Sequence, residues 1–159
     1  MKIFRKELFI KIAMLLFLGG YLSFIYTSNN AKNIPMETII TSMETDSTIT
    51  SLAKRGRTDL KRYYQIEESN TDGYLFYKAI SPMAVEECFI VKASSKQQAE
   101  NFRESAESHL ESQKGIFEGY GTDQMGLLNK AVVEIKGNYV FYMCGADAAQ
   151  WRENFLTLI

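Results

Sequence analysis

"AVVEIKGNYVFYMC", Ala131 to Cys144, decides the fold. Gly137-Asn138 reads as a two-residue hairpin turn between two alternating runs. A turn there fixes the register, pairing Ile135 with Val140, Val133 with Tyr142 and Ala131 with Cys144. Those six residues share one apolar face, because side chains alternate along a strand. The other face carries Glu134 and Lys136, but also Tyr139, Phe141 and Met143. It is too apolar to leave in water, so part of it is expected under the early helices.

Upstream, "YLFYKAI" (Tyr74 to Ile80) and "VEECFIVKA" (Val85 to Ala93) read as a second pair of strands, broken by Ser81-Pro82. Ser94 or Ser95, with Gln97 or Gln98 three residues on, makes a capping box for the next helix. Ala99, Phe102, Ala106 and Leu110 form its apolar face, with Phe117 near its end. Glu100, Glu104, Glu107 and Glu111 line the other side. Thr122 is expected to cap a short helix holding Met125, Leu127 and Leu128. Asp147 is expected to cap a last one holding Trp151, Phe155 and Leu158. Before the strands, Asn33 and Pro35 open a helix with Met36, Ile39, Ile40 and Met43, and a second helix runs from Thr58 to Tyr64. The expected class is α+β, an antiparallel sheet of about four strands in two hairpins with helices packed on it.

"LFIKIAMLLFLGGYLSFIY", Leu8 to Tyr26, reads as a transmembrane anchor or uncleaved signal. As a helix it would measure about 28 Å, close to a bilayer core of about 30 Å. No small-x-small cleavage site follows it, and no cysteine stands near residue 27 to accept a lipid. Lys2, Arg5, Lys6 and Lys11 sit on its amino side, against Lys32 alone just after it. The positive-inside rule therefore leaves residues 1–7 as a cytoplasmic tail and everything past Tyr26 outside the cell membrane. Residues 27–33 are a linker of at most about 25 Å, and 34–159 an extracytoplasmic domain large enough for its own core.

The chain holds 18 Lys and Arg against 19 Asp and Glu. Four of those bases and one acid fall in the tail and anchor, which leaves the rest acidic, at about −4. That balance argues against nucleic acid as a partner. The strand parities of Cys88 and Cys144 allow a disulfide without requiring it. Two buried thiols are the other reading.

No catalytic, cofactor or metal motif is legible. Glu86 and Glu87 are adjacent in a strand, so they point to opposite faces and cannot act as a carboxylate pair; they are expected to line a strand end. His109, the one histidine, has neither metal-ligand spacing nor a serine–aspartate arrangement near it, and is expected to be solvated on its helix. "GYGTDQMG" lacks the spacing of a phosphate loop and reads as one helix ending and another starting. Glu118, Tyr120 and Asp123 are nevertheless polar groups on a loop, and form the first expected partner or ligand contact. Lys54, Arg55, Arg57, Lys61 and Arg62 form a basic cluster, read either as a solvated helix face or as a contact for anionic lipid or wall polymer.

Glu86-Glu87, Glu118-Gly119-Tyr120, Leu127-Leu128-Asn129 and Lys136-Gly137-Asn138-Tyr139, in that order and spacing, resemble the bacterial family called domain of unknown function 4358. The likeness runs from about Pro35 to the carboxyl end. It implies an anchored or lipoprotein form on the outer side of the cell membrane. It also implies, from frequent company with membrane-bound O-acyltransferases, a link to acylation of envelope polymers. It carries over no catalytic residue. The expected function is a non-catalytic accessory or scaffold protein binding an integral membrane or envelope partner. The alternatives are an envelope-polymer hydrolase or transferase and a ligand-binding sensor.

Overall fold

A computed structural model describes residues 10–22, 31–119 and 121–159. Residues up to Asn30 and from Ala31 onward form two separate compact units. In the first, the described residues 10–22 are helical, as part of helix α1. Its apolar side chains, among them Ile10, Met14, Leu15 and Phe17, are exposed. None of the described helices is long and apolar enough to cross a membrane. The expected transmembrane helix, Leu8 to Tyr26, is not shown, since residues 8–9 and 23–26 lie outside the described residues.

The second unit holds an open, fully antiparallel sheet of five strands: β1 (Ala53–Lys54), β2 (Tyr74–Lys78), β3 (Glu87–Lys92), β4 (Val132–Lys136) and β5 (Tyr139–Cys144). Their order is β1-β2-β3-β5-β4. The β4–β5 hairpin has the expected register, Val133 opposite Tyr142 and Ile135 opposite Val140, with Ala131 just before the strand. Gly137 takes φ +58° in the turn, a left-handed value that glycine adopts without steric cost. The two-residue edge strand β1 is the one strand the sequence reading lacks, being too short to show alternation. A very short edge leaves few unpaired backbone groups open to another chain.

Helices cover both faces. On one, α4 (Arg57–Tyr64), α5 (Lys96–Phe117) and α6 (Thr122–Leu128) pack on Phe76, Phe89, Val91, Val140, Tyr142 and Cys144. On the other, α2 (Met36–Met43), α3 (Ser47–Thr50) and α7 (Ala148–Leu158) bury Leu75, Tyr77, Cys88, Ile90, Tyr139, Phe141 and Met143. The apolar second face of the hairpin is thus covered by early helices and by the carboxyl-terminal one. Ser95 accepts a hydrogen bond from the Gln98 amide, and the Gln98 side chain accepts one from the Ser94 amide, closing the expected box at α5. Asn33, Thr122 and Asp147 do not cap as expected. Pro35 and Gly121 hold the first two N-cap positions, and Asp147 holds the third without a side-chain bond. Cys88 and Cys144 are free and buried on opposite faces of the sheet, which rules out a disulfide between them in this fold.

Candidate functional site

Alternation along β3 puts Glu87 on the same face as Phe89 and Val91, inside the layer covered by α4 and α5. There it is 0% exposed. Its cross-strand partner on β2 is Lys78, whose Nζ lies 2.5 Å from Glu87 Oε2. His109, on the buried face of α5, brings Nε2 to 3.1 Å from the same oxygen. Tyr64, in the last turn of α4, donates its hydroxyl to Oε1. Lys78, His109 and Tyr64 are all buried. Four polar side chains from four elements thus meet in one closed cluster, walled by aromatic rings. Tyr64 stacks on Phe89 at 4.0 Å between centroids, and Tyr142 and Tyr63 each meet the His109 ring at 5.6 Å.

Burial pushes the Glu87 carboxyl up, but the hydrogen bond from His109 and the charge of Lys78 outweigh it and hold the group below the usual range. Burial, and then the Glu87 charge, push the Tyr64 hydroxyl well up. Glu87 is therefore ionised, and an ionised carboxylate only accepts. Every neighbour must donate to it, so His109 carries a proton on Nε2. Nδ1 is the ring nitrogen turned to neither Glu87 oxygen. That nitrogen has no hydrogen-bond partner among the described residues.

His109 also lines a groove of about 570 Å³ between the end of α4 and the middle of α5. Gln65 closes the α4 end in the left-handed conformation, at φ 57°. Neutral polar residues dominate the α5 wall, including Asn101, Ser105, Ser108 and Ser112.

The residues singled out from sequence lie elsewhere. Glu118 is exposed at the end of α5, and Asp123 is exposed in the first turn of α6. Tyr120 lies outside the described residues. The basic cluster is largely paired. Lys54 meets Glu44 at 2.7 Å and Lys61 meets Glu67 at 2.5 Å, while Arg55 is 3.9 Å from Asp59 and donates to the Ala79 carbonyl. Arg57 and Arg62 are exposed, with Arg62 over the Tyr63 ring. The expectations for Glu87 and His109 are corrected. Glu87 is a buried centre instead of a strand-end charge, and His109 is in the core instead of solvated. Both signals were present in the sequence, since Glu87 shares the parity of Phe89 and Val91, and His109 stands three residues after Ala106 and seven after Phe102.

A family model described as Domain of unknown function (DUF4358) matches residues 44–145. The chain belongs to this family. The matched DUF4358 region spans α3 to β5 and contains all four members of the buried cluster. Neither a curated protein nor a solved structure matches the chain.

Proposed function

We propose that the chain is a non-catalytic accessory protein of the cell envelope. Its amino-terminal apolar segment holds it at the membrane, and residues 34–159 lie outside and bind a membrane or envelope partner. The closed state of Glu87 carries this reading. Its two oxygens are committed to Tyr64, Lys78 and His109, and none of its surface is open. A carboxylate so placed organises a core instead of exchanging protons with a substrate. Two further observations support it. The apolar side chains of α1 are exposed, as a lipid-facing segment requires. Ile80 and Met83, on the loop between β2 and β3, are also exposed apolar groups of the kind that partners cover. The family's company suggests an integral membrane acyltransferase as the partner.

A second reading, an envelope-polymer hydrolase or transferase, draws on one observation: the Glu87–His109 pair borders an open groove. Isolation of the full-length chain from its native membranes in mild detergent, followed by mass spectrometry, separates the readings. The accessory reading expects peptides from Ile12–Tyr26 and an integral membrane protein in stoichiometric amount. A chain beginning near Asn29 with nothing bound would count against it.

A further inference from the structure

We infer that the groove between α4 and α5 is a binding site for a neutral, hydroxyl-rich ligand, a segment of glycan chain, seated over His109. The imidazole is 5% exposed, held from behind by Glu87 through Nε2, and it lines the groove. Nδ1 is left without a partner among the described residues, and a hydroxyl, which both donates and accepts, can pair with it.

The rest of the lining agrees. Its two charged members, Arg62 and Glu104, offset each other. Ser108, Ser112, Gln65 and Gln113 spend none of their side-chain hydrogen-bonding capacity within the described chain. Hydroxyls and amides both donate and accept, which matches the hydroxyl groups of a sugar and makes little use of a net charge. Gln65 adds an independent sign. A left-handed C-cap is the place where glycine costs least, yet this chain keeps a long amide there, beside the groove. The inference rests on the accessory reading for where such chains are met, and binding in solution tests it apart from that placement.

The test uses the full-length, ¹⁵N-labelled chain in lipid nanodiscs, titrated with cellotetraose, chitotetraose and maltotetraose, and separately with inorganic phosphate. The expected result is saturable shifts at Gln65, Ser108, His109 and Ser112 with at least one tetrasaccharide, and none there with phosphate. The double variant Ser108→Ala, Ser112→Ala should weaken that affinity about tenfold. Gln65→Gly, which relieves the backbone, should weaken it several-fold without lowering the thermal midpoint. Silence with all three sugars, shifts at these residues with phosphate, or unchanged affinity in the variants would overturn the proposal. Any of those outcomes leaves the co-purification result standing on its own.

Discussion

Lys78 Nζ and Glu87 Oε2 lie 2.5 Å apart across the β2–β3 pair, both side chains inside the core that α5 covers. Such a pair adds little net stability, because stripping two charges of water offsets most of their attraction. What it does is make each partner indispensable to the other, and it fixes the direction in which Tyr64 and His109 must donate.

Removing one partner should therefore hurt far more than removing both. Lys78→Met leaves Glu87 buried and uncompensated, with an expected loss of about 3–5 kcal/mol. Lys78→Met with Glu87→Leu should lose much less than the sum of the two single changes. Urea unfolding of the four chains, read as a double-mutant cycle, measures the difference. Additive losses would mean the two side chains are not coupled.

The pH dependence follows from the depressed carboxyl. Because the folded state holds Glu87 below its ordinary value, its contribution is fully present above the unfolded carboxylate pKa, about 4.3. It is lost as pH falls through the lower folded value. Unfolding free energy should fall steeply below about pH 4, and Glu87→Gln should flatten that limb. Glu44, held low by Lys54 and then Tyr77, has the same sign, so the comparison is cleanest in a Glu44→Gln background. An acid limb unchanged by Glu87→Gln would contradict the assignment.

Both thiols should be silent in the folded chain. Burial pushes Cys144 up to about 11, and Cys88 also upward, so little of either is the reactive thiolate at neutral pH. Mass spectrometry after iodoacetamide should show no adduct in native buffer and two in urea. An oxidant should leave the intact mass without the loss of two hydrogens that a Cys88–Cys144 disulfide would bring.

Gly137 is the tightest point of the hairpin. A Cβ there would lie 2.9 Å from that of Ala31, at a φ of +58°. Gly137→Ala should cost about 1 kcal/mol or more, read as a lowered thermal midpoint. An unchanged midpoint would mean that the turn is not held in this conformation.

The parts of the fold written in local pattern were legible. Gly137-Asn138 dictated the hairpin register, and Ser95 with Gln98 marked the start of α5. β1 was not legible, because two residues hold no period, and α3 was missed because it is a single turn after Asp46. The site failed for another reason. Glu87 and His109 are polar residues on apolar faces, and each alone reads as a surface charge. Only long-range pairing, Lys78 across the sheet and Tyr64 from α4, makes their burial possible, and local spacing does not encode those neighbours.

Glu87 holds His109 with a proton on Nε2 and leaves Nδ1 without a partner among the described residues. The measurement that tests it most directly is the ring ¹⁵N spectrum of His109, the one histidine in the chain, at neutral pH. Nε2 should carry a proton, and Glu87→Gln should shift its signal. A bare Nε2 with the proton on Nδ1 would contradict this geometry.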